Sequence, residues 1–189
     1  MDYHRMTDEA LLVLLLGHEE ARVAYQGHLA PLFEAGGSDG STALRPLLIT
    51  RELFHRWLAE DLTTRCLFGS PNEVKVFFVA AFAGKQQESF HTAYVDAGGR
   101  LIVVEESFRG TLTQTAVYPR EIVRRALELK AASVIFAHNH PTGCAEPSRA
   151  DEFLTATLKT ALTLIDVRVL DHIVVGGTTT VSFAERGLL

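Results

Sequence analysis

Cysteine is scarce in this chain: 189 residues hold only two, Cys66 and Cys144. Two thiols cannot build a disulfide framework or a four-cysteine zinc site, and such low usage fits a reducing cytoplasm. Long hydrophobic runs are missing as well. The run Ala10–Leu16 falls far short of the roughly 20 residues that cross a bilayer. It follows Asp8 and Glu9 rather than a basic stretch, and no small-residue cleavage site follows it, so it is read as part of the fold and not as a signal peptide. No membrane partner is expected. Basic excess is also absent: 18 Lys and Arg against 23 Asp and Glu give a net charge of −5, which offers no electrostatic footprint for nucleic acid. There is no internal repeat and no low-complexity tract, and the pattern specifies no oligomer. What remains is 47% hydrophobic and 22% charged, the balance of a globular protein, with length for one ordinary domain and an appendage.

The most informative stretch runs from Ser133 to Asp151. Ser133 to Ala137 is a short, mostly apolar run bounded by polar and turn residues, and it predicts a buried strand. Side chains alternate along a strand, so His138 and His140 point the same way. Pro141 and Gly143 stop the strand and open a loop. The loop ends at Pro147, and Ser148-Arg149-Ala150-Asp151 has the form of a capping box, with Ser148 at the N-cap and Asp151 at N3. A carboxylate is favoured there by the positive end of the helix. Two imidazoles and a carboxylate therefore converge where strand end meets helix start. Three ligands of this kind, with a fourth position left to water, are what a catalytic zinc takes.

Elsewhere the chain reads as mixed α/β. Helices are expected from Thr7 through Leu16, over Glu19–Glu34 with an interruption near Pro31, and over Arg51–Asp61 with apolar Leu53, Phe54, Trp57 and Leu58. The tract 34–42 is the clearest linker, and the domain boundary is placed at about residue 68. That leaves a helical region over 1–68 and a second domain over 69–189. Ser70-Pro71-Asn72-Glu73 is another capping box, opening a helix that carries Val74, Phe77, Phe78 and Ala81. Glu88–Asp96 and Arg100–Glu106 read as a hairpin around Gly98-Gly99, with a break at Phe108–Thr111 and a possible further strand at Gln114–Tyr118. A helix from Pro119 to about Lys130, a helix after Ser148, strands over Val167–Val175 and Val181–Phe183, and a turn at Gly176-Gly177 complete the pattern. The order β-β-α-β-α-β-β predicts a sheet with helices on its faces.

The spacing H-x-H-P-x6-S-x2-D, carried by His138, His140, Pro141, Ser148 and Asp151, resembles the signature of JAB/MPN (JAMM) metallopeptidases. Val117-Tyr-Pro-Arg-Glu121, Asp171-His172 and the closing Ser182–Gly187 resemble their bacterial RadC-like branch, over about Ser70 to the C-terminus. The resemblance implies a cytidine-deaminase-like MPN architecture and a Zn(II)-dependent hydrolase of peptide or isopeptide bonds, acting on a protein or peptide substrate. His138, His140 and Asp151 are then the metal ligands, and Ser148 caps its helix while aiming its hydroxyl at an oxyanion. The family places a glutamate general base at the head of an earlier strand. Glu88 fits that place, and Glu105 and Glu106 are its rivals. RadC-like proteins usually begin with a helix-hairpin-helix that grips DNA backbone, but Gly36-Gly37 is not followed by the expected small–Lys–Ala pattern.

Two other functions are weighed against the hydrolase. One is a DNA-repair-associated factor acting on or binding DNA; the acidic charge argues against it, since such binding rests on phosphate neutralisation. The other is a non-catalytic interaction module braced by metal, in which the Cys144 thiolate fills the fourth ligand position. His172 is read as a packed core histidine in preference to a partner of the site. His91 and the remaining histidines show no ligand spacing.

Overall fold

The structure, a computed structural model, describes residues 3–29, 32, 44–64, 71–109 and 117–189. The chain divides into two compact units, Met1–Trp57 and Leu58–Leu189. Among the described residues no helix is long and apolar enough to cross a membrane.

In the first unit, α1 (Asp8–Leu16) and α2 (His18–Ala24) follow a single 3-10 turn at Tyr3–Arg5. Thr7 caps α1: its hydroxyl oxygen accepts from the Ala10 amide at 3.2 Å. Leu12, Ala21, Leu32 and Leu47 make a small core. Helix α2 is shorter than the expected Glu19–Glu34 span, because Tyr25 takes up extended backbone and Gly27 sits at φ +90°. Helix α3 (Arg45–Thr64) is longer than the expected Arg51–Asp61. Pro46 lies in its first turn, where a missing N–H breaks no intrahelical bond. Of the four residues expected to form its apolar face, Leu53, Phe54 and Trp57 are exposed, while Leu58, in the second unit, packs against the core around Val74 and Phe78; Leu47 is the residue this helix buries in the small core. The expected linker at 34–42, the boundary near residue 68 and Ser70 lie outside the described residues.

The second unit is built on a five-stranded sheet. Helix α4 (Pro71–Phe82) precedes β1 (Ser89–Val95) and β2 (Leu101–Arg109); α5 (Pro119–Glu128) leads to β3 (Ser133–Asn139); α6 (Arg149–Thr163) leads to β4 (Arg168–Gly176); β5 (Thr179–Ser182) and a short α7 (Phe183–Arg186) close the chain. The strand order is β2-β1-β3-β4-β5, with only the β3/β4 pair parallel. Helix α6 makes that crossover, the connection a parallel pair requires.

Strand β3 is buried along its whole length. Its odd-numbered Ile135 and Ala137 pack with Val74, Phe77, Phe78 and Phe82 of α4. Its even-numbered Val134 and Phe136 pack with Phe90 and Tyr94 of β1, Ile122 and Ala126 of α5, and Leu158 and Leu162 of α6. Burial on both faces explains why the segment reads as a continuous apolar run. The same alternation carries His138 onto the α5/α6 side.

Two expected boundaries change. Strand β2 runs through Phe108 to Arg109 because these residues pair with Phe90 and Ser89, so the cross-strand ladder overrides the expected break. The last strand ends at Ser182, whose hydroxyl accepts from the Glu185 amide and starts α7 at Phe183. The possible strand at Gln114–Tyr118 falls mostly outside the described residues; Tyr118 is the N-cap of α5.

Candidate metal centre

His138 is the penultimate residue of β3 and only 1% exposed. Its neighbour across the sheet is Phe90 of β1, whose ring stacks parallel to the imidazole at 6.3 Å. His140 lies just past the strand end, its amide bonded to the Val175 carbonyl at 2.8 Å. Asp151 occupies N3 of α6, and the capping box forms in both directions: the Ser148 hydroxyl oxygen accepts from the Asp151 amide, and the Ser148 amide donates to Asp151 Oδ2 at 2.7 Å. Local sequence thus fixes where each of the three side chains starts.

Their donor atoms meet. The two Nε2 atoms are 3.0 Å apart. Asp151 Oδ1 is 3.3 Å from His138 Nε2, and Oδ2 is 3.6 Å from His140 Nε2. Tetrahedral sites with bonds of roughly 2.0 Å have ligand atoms roughly 3.3 Å apart, so the cluster is capable of holding a metal ion.

The protonation pattern suits that role. His140 Nδ1 is 2.8 Å from the Cys144 carbonyl, which can only accept, so Nδ1 carries a proton and Nε2 is the atom turned toward Asp151. Burial pushes His138 down to about 4, against the opposing pull of Asp151. His140 is raised, first by its contact with Asp151. Burial alone would raise Asp151, but the His140 hydrogen bond, the His138 charge and two hydrogen bonds from Ser148 outweigh it and hold the carboxyl well below its usual range.

Cys144 therefore serves the site through its backbone. Its side chain is exposed and is not part of the ligand cluster, which corrects the reading that its thiolate fills a fourth position. What places its carbonyl is Gly176. A Cβ there would lie 2.4 Å from the Ala145 amide nitrogen and 2.6 Å from the Cys144 carbonyl carbon, so only glycine lets the loop lie against β4. The sequence reading of Gly176 as a turn residue missed this contact.

Glu88 lines the same cavity, of about 380 Å³, as His138, His140, Ser148 and Asp151. Asn139 holds the backbone on either side of it: its amide oxygen accepts from the Ser89 amide at 2.9 Å, and its amide nitrogen donates to the Gln87 carbonyl at 3.1 Å. The rivals are engaged elsewhere. Glu105 forms a two-pronged pair with Arg125, and Glu106 lies 3.3 Å from Lys85 Nζ.

His172 is fully buried, as a core histidine would be, yet it also bonds the site. Its Nε2 is 2.8 Å from His138 Nδ1 and its Nδ1 is 2.6 Å from the Thr155 hydroxyl. Thr155 had no signal in the sequence beyond its place on an apolar helix face. The adjacent Asp171 is structural: it accepts from the His172 and Ala184 amides and from the Ser182 hydroxyl, tying α7 to β4.

The profile of the RadC-like JAB domain matches residues 68–188. The chain is also similar to a UPF0758 protein of Nitrosomonas eutropha, 53% identical over 79% of this chain and 67% of that protein. A UPF0758 protein of Polaromonas sp. is 57% identical over 76% of this chain and 64% of its own length; one of Leptothrix cholodnii is 58% identical over 73% and 62%. The matched region thus spans about two thirds of these relatives. The match over most of the chain, with the histidine and carboxylate cluster at its centre, places this protein in the RadC-like JAB domain family.

Proposed function

We propose that this protein is a zinc-dependent hydrolase of peptide or isopeptide bonds, working in a reducing cytoplasm on a protein or peptide substrate. We assign the activity to residues 69–189, a sheet of the cytidine-deaminase-like MPN type, and treat 1–68 as a separate helical region. The observation that carries the reading is the cavity in which Glu88 shares a wall with the His138, His140 and Asp151 cluster. Those three side chains would hold the metal. Zinc suits a donor set of two nitrogens and one oxygen, and when bound it supplies Lewis acidity and brings water toward a neutral pKa.

The protein's own groups do the rest. Glu88, its backbone held by Asn139, takes a proton from the attacking water and returns it to the departing amine. The Ser148 hydroxyl donates to the oxyanion that develops on the carbonyl. In the structure that hydroxyl donates to Asp151 Oδ2 at 2.6 Å. The same oxygen also receives the Ser148 amide at 2.7 Å, so Asp151 keeps a donor when the hydroxyl turns to substrate. Phe90, Val117 and Leu154 give the cavity an apolar side that strengthens these polar contacts.

The test is Glu88→Gln. It should retain metal and lower hydrolysis of an isopeptide-linked or peptide substrate by roughly 10²- to 10⁴-fold. Loss of metal together with activity would make Glu88 a ligand or a structural residue, and full activity would remove it from the mechanism.

A further inference from the structure

We propose that Thr155 and His172 are positioning residues that set the tautomer of His138, through a chain of hydrogen bonds running in one direction from the metal cluster to the backbone of α6. The inference rests on the reading of His138 as a metal ligand. It follows from counting protons along three contacts.

Thr155 has one hydroxyl proton. It is donated to the Asp151 carbonyl one turn earlier, at 2.6 Å, a bond that threonines inside helices commonly make. The hydroxyl oxygen can then only accept, and its remaining neighbour is His172 Nδ1 at 2.6 Å. His172 Nδ1 therefore carries hydrogen. The ring is completely buried between Phe90, Phe136 and Phe183 and is neutral there, which leaves its Nε2 bare. That nitrogen accepts from His138 Nδ1 at 2.8 Å. With its one proton on Nδ1, His138 presents a lone pair at Nε2, 3.0 Å from His140 Nε2.

The consequence is specific. His140 Nδ1 is held by the Cys144 carbonyl, so its Nε2 is the nitrogen left to face the cluster. Two imidazole nitrogens at 3.0 Å with a carboxylate beside them need a proton or a metal ion among them, and a metal ion needs both lone pairs. Both histidines thus have an outer acceptor that points their lone pairs inward. For His140 the acceptor is a nearby loop carbonyl. For His138 the acceptor is an imidazole whose own proton is held by Thr155. Reversing the chain would put hydrogen on His138 Nε2 and close that nitrogen to a metal.

The experiment measures zinc affinity by chelator competition in the full chain, with the histidine tautomers of the zinc-loaded protein read from ¹⁵N chemical shifts. Thr155→Val keeps the shape and removes the acceptor; it should weaken zinc binding by roughly 10- to 100-fold, as loss of a ligand's outer partner does elsewhere. Thr155→Ser should bind as the parent does. His172→Phe should weaken binding similarly, and His172→Gln, whose amide oxygen reaches the place of Nε2, should recover most of it. Zinc-loaded parent should show His172 protonated on Nδ1. A Thr155→Val variant that binds zinc like the parent, or a His172 protonated on Nε2, overturns this inference alone. A parent that binds no zinc overturns the metal reading and this inference with it.

Discussion

Two strand histidines lie on opposite faces of one sheet, and their surroundings differ in kind. His91, on β1, faces α4: its ring meets Phe82 edge-on at 4.7 Å, and its Nε2 is 3.0 Å from both Lys85 Nζ and the Ser89 hydroxyl. His138, on the neighbouring β3, faces α5 and α6 and meets His140 and Asp151. Both are buried and both are hydrogen-bonded. The difference is what their neighbours leave open to a cation. Beside His91 the Lys85 ammonium already occupies the cation's place, with Glu106 as its partner, whereas a second imidazole and a carboxylate converge on His138 with no side-chain cation between them among the described residues. Burial and hydrogen bonding alone do not mark a site; convergence of lone pairs does.

Replacing each histidine by alanine should have opposite consequences for the metal. His138→Ala should abolish metal binding by elemental analysis. His91→Ala should leave the metal in place and lower folding stability by about 1–2 kcal/mol in a denaturant titration, the ordinary cost of a buried contact. Metal loss in both variants would mean that the cluster depends on the whole sheet and not on its own donors.

Acid should act strongly on the α5/α6 face. His138 is pushed down to about 4 from its usual 6.5, chiefly by burial, and His172 is pushed well below it for the same reason. Below pH 6.5 the unfolded chain binds protons that these two rings refuse, so the metal-free protein loses stability as pH falls from about 6.5 to about 4. His138 alone accounts for on the order of 3 kcal/mol of that loss. His140, whose value is raised, works the other way and offsets part of it. Urea midpoints of metal-free protein across this window should fall, and His138→Ala should flatten the slope. A midpoint independent of pH would contradict the buried, neutral assignment.

Much of this was legible because it is local. The strand at Ser133, the capping box at Ser148 and the two-residue spacing of the histidines each need only neighbours in the chain, and so the three converging side chains could be named from sequence. The outer contacts could not. Thr155 meets His172 across 17 positions, and His172 meets His138 across 34, because adjacent strands and a crossover helix bring them together. The close approach at Gly176 is likewise a tertiary fact: its glycine reads as a turn, but its missing side chain makes room for a loop more than 30 positions earlier. Strand β2 shows the same rule, extending through Phe108 because its partner Phe90 is there to pair with it. In α3, exposed Leu53, Phe54 and Trp57 show that amphipathic spacing alone does not assign a core face.

A smaller effect is expected at that glycine. Gly176→Ala should push the 143–145 loop away, weaken the Cys144 carbonyl contact to His140 and lower metal affinity about tenfold, read by chelator competition. Unchanged affinity would show that His140 keeps its orientation without that carbonyl.

If His138, His140 and Asp151 hold a metal ion, the zinc content of the full chain, purified without chelators or a histidine tag, shows it most directly. About one zinc ion per chain should be retained through gel filtration. No zinc as purified, and none taken up when it is added, would contradict the metal reading.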